Sequence, residues 1–349
     1  MKFLPVSAES LEMAAQILIQ GGLVAFPTET VYGLGADAFN PQALAKVFEV
    51  KERPAFDPLI IHIASAETLD KVADLSLLSG KMREKLFLLI KNFWAGPLSI
   101  VLPKNKNIPD IATAGLSTAA IRMPDNEAAL KLISISGGAV AAPSANPFGS
   151  LSPTKAEHVR VKLGNKIDMI LNGGQTKIGL ESTVLDLSGD KIKLLRPGGV
   201  PKEAIEKLIG PIDDTSVTEP KHSGGKTSPG QLESHYAPKK ALSVFEREEI
   251  IRQPFQTDGA FLFYDNSAKN EWLETQSQRL PKTAIIKVLS ETGSAQEAAS
   301  RLFETLHKLE YFNITHISAQ LAPNEGLGIA INDRLKRGSL SPAARPAAL

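Results

Sequence analysis

Short apolar runs of strand length alternate along this chain with segments whose apolar residues return every three or four positions. Ser7 caps a predicted helix in which Leu11, Ala14, Ala15, Leu18 and Ile19 share one face, and Gly21 is placed to end it. The run Leu23 to Phe26 predicts a buried strand, broken at Pro27. Asn40-Pro41 opens a helix through Ala43, Leu44, Val47 and Phe48, with Asn as cap and Pro at the first helical position. Further strands are predicted at 59–63, 98–102, 118–123, 139–142, 169–171, 183–187 and 192–195. Helices are predicted at about 66–78, 80–93 and 126–135, and Ser152-Pro153-Thr154 opens another. Strands and helices alternating in this way predict an α/β fold around an open sheet.

After residue 210 the pattern lapses. Residues 211–240 are rich in Asp, Ser, Thr, Pro and Gly without an apolar period, and read as a linker. Beyond it, apolar runs at 242–245, 259–264, 284–289 and 317–321 alternate with an amphipathic helix, Ser294 to Phe312, and a closing helix, Gly328 to Lys336. The expected organisation is a first domain at 1–210, a linker at 211–240 and a smaller Rossmann-like α/β domain at 241–349.

Chemistry is expected where strands of the first domain end, because several finish in a polar or basic group followed by Pro or Gly. In GLVAFPTETVYGLG, residues 22–35, the side chains of Thr28, Glu29, Thr30 and Tyr32 follow the opening strand, and Gly33 and Gly35 predict a tight turn beside them. Lys51 and Arg53 stand two apart before Pro54, able to face one anion. His62 is the lone polar residue in its strand. Arg122 ends another strand and is a candidate clamp for a carboxylate, since a planar guanidinium can grip one with two parallel hydrogen bonds. Pro143 and Pro147 frame Ser144 and Asn146, and Arg196 precedes Pro197-Gly198-Gly199.

Composition narrows the partners. Lys plus Arg number 39 against 38 Asp plus Glu, so no global basic field draws the chain to nucleic acid or anionic lipid, and any anion site is local. The absence of cysteine excludes disulfides, thiolate zinc sites and a cysteine nucleophile, and fits a reducing compartment. The N-terminus lacks the features of a secretory signal and no apolar run is long enough to span a bilayer, so a cytoplasmic protein is expected. Gly224-Gly225-Lys226-Thr227 lacks the earlier glycine and preceding strand of a P-loop, and the G-x-G-x-x-A at Gly33 is separated from its strand by Pro27 and the polar run.

With these residues in view, the chain resembles the long, two-domain threonylcarbamoyl-AMP synthases of the YrdC-like family. The resemblance rests on FPTETVYGLG, KERPAFDPLIIH, STAAIRMP, APSANPFGSLSPT, GLESTVLDL, LLRPGG and SPGQLESHYAP in the family's order, and on the closing GLGIAINDRLKRGS. It implies a twisted, open, mixed sheet in the first domain. It implies condensation of L-threonine, bicarbonate or CO2, and ATP with Mg2+ into threonylcarbamoyl-AMP and pyrophosphate, the adenylate then serving a tRNA threonylcarbamoyl transferase. Weak tRNA binding is a further expected property, and a non-catalytic module that binds double-stranded RNA or tRNA is the alternative reading.

Carried over residue by residue, the resemblance implies that Thr30, His62, Arg122, Ala142 and Ser182 surround threonine. It places Lys51, Arg53, Asp57, Thr118, Ser144, Asn146, Ser152 and Arg196 around ATP, with Lys51 and Arg53 as the catalytic cations and no protein-held metal. Ser228, His235 and Tyr236 are expected to fold over the nucleotide as a lid. The family usually has asparagine where this chain has Asp57, and Met-Lys where it has Gln231-Leu232.

Overall fold

The computed structural model describes residues 1–215, 236–276, 280–281 and 283–340. One compact unit is built from residues 1–148, 152–177 and 181–215, the other from 149–151, 178–180 and the described residues from 236 onward. Residues 149–151 and 178–180, expected in the first domain, thus group with the second unit.

The first unit is organised on one mixed sheet. Its strands are β1 (Lys2–Pro5), β2 (Val24–Phe26), β3 (Gly33–Asp37), β4 (Ile60–Ile63), β5 (Leu98–Pro103), β6 (Thr118–Arg122), β7 (Ala139–Ala141), β8 (Met169–Asn172), β9 (Thr183–Asp186), β10 (Lys193–Arg196) and β11 (Asp213–Asp214). They lie in the order β1-β8-β2-β3-β7-β4-β6-β5-β9-β10-β11. Parallel pairs such as β4 with β6 and β5 with β9 alternate with antiparallel ones such as β3 with β7 and β5 with β6.

Both faces of this sheet are covered, which is why its strands read as continuous apolar runs. Val24, Phe26, Val140, Met169 and Leu171 pack with Leu11, Ala14 and Leu18 of the helix Ala8–Ile19 and with Leu132 and Ile133 of the helix Glu127–Ile135. The alternate residues, among them Ala25, Leu34, Ile61, Ile121, Ala139 and Ile170, join the larger core on the other face.

Three expectations change. Gly33 and Gly35 do not form a turn but lie in β3, antiparallel to β2. A Cβ on Gly35 would come within 2.8 Å of the Phe26 ring and 2.9 Å of Val140, so glycine is needed there for close approach. The helix expected at 66–78 is broken into Ala66–Thr68, Leu69–Val72 and Leu75–Leu77. Asn105 N–H donates to Val72 O and Asp74 N–H to Pro103 O, tying this backbone to the end of β5. The helix expected from Ser152 starts at Ala156, because residues 152–154 are bound elsewhere: Pro153 O accepts from Tyr32 N–H and Thr154 O from Thr176 N–H.

The second unit carries four parallel strands, β12 (Ala241–Phe245), β13 (Gly259–Asp265), β14 (Ile285–Ser290) and β15 (His316–Gln320), in the order β12-β15-β13-β14. Phe261 and Phe263 stack beside Trp272 of the helix Asn266–Thr275, with Phe261 and Trp272 ring centroids 4.5 Å apart. No helix among the described residues is long and apolar enough to cross a membrane.

Candidate active site

The register of the first sheet gathers the expected groups on one face. On β4, Ile60 and His62 point the same way, and they stand beside Ala120 and Arg122 of β6. Val101 pairs with Ala120, and Ser99 with Val184 of β9, so Ser99 and Ser182 follow on the same side. Ile60, Val101, Ala120, Val184 and Leu195 form a small apolar cluster on this face, two residues along from the polar set. Each strand thus changes from packing to chemistry in a single step of its period. A register slip between Leu194 and Arg196 lets Arg196 pair with Val184 and turn its guanidinium to Ser182.

The loop after β2 is shaped by Thr28, whose hydroxyl donates to Val31 O at 2.7 Å and accepts from Thr30 N–H at 3.1 Å. This turn brings Glu29 and Thr30 to Arg122. Arg122 Nη1 donates to Thr30 Oγ1 at 2.9 Å and Nε to Gly96 O at 3.2 Å. Its Nη2 stands 2.5 Å from Glu29 Oε1, and both side chains are buried. The expected carboxylate clamp therefore already carries a buried carboxylate partner. His62 is likewise buried, and its Nδ1 lies 3.1 Å from Ile60 O, which fixes that nitrogen as the donor. Burial, with the adjacent Arg122 charge, lowers the His62 pKa to about 3, so the ring is neutral at physiological pH. Ala142 is held beside this group by its N–H to Ile60 O.

The second set of cations begins where the helix Pro41–Lys51 ends. Glu52 adopts the left-handed conformation at φ 54°, which stops the helix before Arg53. Lys51 Nζ donates to Ser144 O and Asn146 O, each at 2.5 Å. Burial, reinforced by Arg53, pushes the Lys51 ammonium well below its usual pKa. Arg53 donates to Asp57 O at 2.9 Å and Pro58 O at 2.8 Å and pairs with the Asp57 carboxylate at 2.9 Å. The departure at Asp57 is thereby accounted for: its charge lies against Arg53 rather than unopposed. Arg196 donates to Ser182 O through Nε and Nη2, while Nη2 also reaches Ser182 Oγ at 3.1 Å. All of these cations, Arg122 included, donate to main-chain carbonyls.

Ser144, Asn146, Thr118 and Ser152 lie on the same framework. Ser144 and Asn146 follow β7 in a loop tied to β3 by Leu34 N–H to Pro143 O and Ala145 N–H to Tyr32 O. Thr118 opens β6 and is half-buried. Ser152 is buried and its hydroxyl donates to Glu181. Gly198 lets the Arg196 turn approach that segment, since a Cβ there would meet Glu181 O at 2.4 Å. Tyr236 belongs to the second unit, where it is buried at φ 64° with Arg334 over its ring at 5.0 Å. Ser228 and His235 lie outside the described residues.

Glu29 stood among the polar residues after the opening strand without an assigned role, and Ser99 and Glu181 were not singled out for the site by sequence reasoning. Ser99, whose hydroxyl lies 2.7 Å from that of Ser182, had the same signal as His62, a lone polar residue in an apolar run. Glu29 and Glu181 stand next to expected residues, yet their burial has no sequence signature.

An open mixed sheet with buried cations and hydroxyls on one face is the arrangement the first unit presents. Residues 16–198 match the model of the Sua5, YciO and YrdC proteins, described as telomere recombination, and the chain belongs to that family. Residues 200–339 match the model described as threonylcarbamoyl-AMP synthase, C-terminal domain. Threonylcarbamoyl-AMP synthases from Pyrococcus abyssi and Bacillus subtilis are each 40% identical to this chain. The matches cover 94% of this chain in both cases, and 94% and 92% of the respective relatives. The crystal structure of P. abyssi Sua5 complexed with L-threonine superposes with a TM-score of 0.84 at 38% identity, covering 97% of this chain and 96% of that one.

Proposed function

We propose that this chain is an L-threonylcarbamoyladenylate synthase, condensing L-threonine, bicarbonate or CO2, and ATP into threonylcarbamoyl-AMP and pyrophosphate. The observation that carries the reading is that Lys51, Arg53, Arg122 and Arg196 are all buried and seated on backbone carbonyls, in a chain whose relatives over nearly its full length are such synthases. The RNA-binding alternative has no comparable support.

Threonine's amine, once neutral, adds to CO2, the new N–C bond forming as a second N–H proton passes to solvent, and leaves a carbamate. A carbamate oxygen then attacks the α-phosphorus of ATP, forming an O–P bond as the bond to pyrophosphate breaks. Negative charge grows on the phosphoryl oxygens and the leaving group, and Lys51, Arg53 and Arg196 are assigned to stabilise it. An arriving polyphosphate would favour the charged form of Lys51 that burial disfavours. Thr30, His62, Arg122, Ala142 and Ser182 are assigned to threonine, and Asp57, Thr118, Ser144, Asn146 and Ser152 to the nucleotide.

The buried carboxylates of the first unit already have protein partners. Asp57 is paired with Arg53, Glu29 with Arg122, and Glu181 accepts from Ser152, and no cluster of acidic or histidine ligands occurs among the described residues. These residues do not form a cation cage, so Mg2+ is assigned to the triphosphate alone and no step runs through it. The product is an activated acyl adenylate, consumed by a transferase acting on tRNA, and the setting proposed is the cytoplasm.

Pyrophosphate release should require threonine and bicarbonate together. Exchange of labelled pyrophosphate into ATP with threonine alone, in CO2-free buffer, would mean that threonine's own carboxylate is adenylated, and the reading would fail.

A further inference from the structure

Glu29 is 3% exposed, yet neither carboxylate oxygen has a hydrogen-bond donor in line with it among the described residues. Its close partner among the described residues, Arg122 Nη2 at 2.5 Å, lies off the hydrogen-bonding direction. A carboxylate buried in this way is costly unless something completes its shell. Arg122 itself uses Nε and Nη1 on Gly96 O and Thr30 Oγ1, leaving further N–H groups of its five for a ligand. Anion and cation thus stand side by side in the group assigned to threonine, which is the complement of an amino acid's zwitterion.

We propose that Glu29 receives the α-ammonium group of the amino-acid substrate while Arg122 holds its carboxylate, and that Glu29 takes the ammonium proton before the amine meets CO2. The inference rests on the synthase reading above. In the step, an N–H bond breaks, its electron pair stays on nitrogen as the lone pair of the neutral amine, and the proton bonds to a Glu29 oxygen. The groups beside this carboxylate are poorer acceptors. Arg122 is a cation, and His62, with Nδ1 committed to Ile60 O and a pKa near 3, holds a proton poorly. Glu181 accepts from Ser152, and Asp57 pairs with Arg53 in the group assigned to the nucleotide.

The test compares the full chain with Glu29→Gln and Glu29→Asp, first checking that each variant melts as wild type does. Calorimetric titrations use L-threonine and 3-hydroxybutanoate, which keeps the carboxylate and hydroxyl but lacks the amine. Glu29→Gln should bind threonine about 10- to 100-fold more weakly and 3-hydroxybutanoate as wild type does. Glu29→Asp, which keeps the charge, should retain preference for threonine. In turnover, the Glu29→Gln deficit should shrink as pH approaches the amine's own pKa, because solution then supplies the neutral amine. Equal weakening toward both ligands would mean that Glu29 acts only by holding Arg122, and unchanged affinity for both would make it a structural tie. Either result overturns the proposal while wild-type threonine binding leaves the synthase reading standing. Failure of wild type to bind threonine would overturn both.

Discussion

At His62 the folded protein holds a base whose pKa, about 3, lies below its ordinary value of 6.5. As pH falls, the unfolded chain takes up this proton first. The stability His62 confers by staying neutral is therefore complete above about pH 6.5 and is lost as pH falls toward 3. Within that window the loss should approach about 1.4 kcal/mol per pH unit, and His62→Asn should remove that much of the slope in denaturant titrations. The cations divide differently. Arg53→Ala, made with Asp57→Asn so that no buried carboxylate is stranded, should lower kcat by about 100-fold or more, because the charge it meets grows in the transition state. Arg122→Ala should chiefly raise the threonine KM, and the reverse pattern would mean that the two anion sites have been exchanged. Arg122 and His62 were legible because a charged or polar letter in an apolar run stands out, and Arg53 because it stands two residues from Lys51 before a proline. What held them was not: Lys51 is positioned by the carbonyls of Ser144 and Asn146, and a carbonyl has no letter of its own.

The strand β3 shows where element-scale reading fails and why. Two glycines among polar residues have the composition of a turn, but their lack of side chains makes room for Phe26 and Val140. Gly35→Ala should therefore destabilise the first unit by about 1–3 kcal/mol, read as a lower denaturant midpoint at unchanged slope, whereas a turn glycine freed of close neighbours would tolerate the change. Helices with a periodic apolar face and a side-chain cap, such as Pro41–Lys51 under Asn40, were legible from sequence because the signals that start them are local. The broken segment at 66–77 and the late start of the helix after Ser152 were not, because each is decided by backbone partners distant in the chain.

In the whole molecule each compact unit owns one of the two tryptophans: Trp94, whose indole donates to Leu98 O, and Trp272, whose indole donates to Gln253 O. Single-tryptophan variants, Trp94→Phe and Trp272→Phe, should report the two cores separately by fluorescence. Phe261→Ala, which empties space beside Trp272, should cost the second unit about 3–5 kcal/mol and shift the Trp272 transition more than the Trp94 transition. Identical shifts at both probes would mean that the chain unfolds as one cooperative body. The site of the first unit has an analogous division of labour, between what is fixed and what can vary. Because its cations rest on main-chain oxygens, replacing a side chain such as Ser144 leaves the oxygen that Lys51 grips in place. The pocket wall can accordingly be redesigned for another amino acid or nucleotide while the charge that drives the chemistry keeps its address.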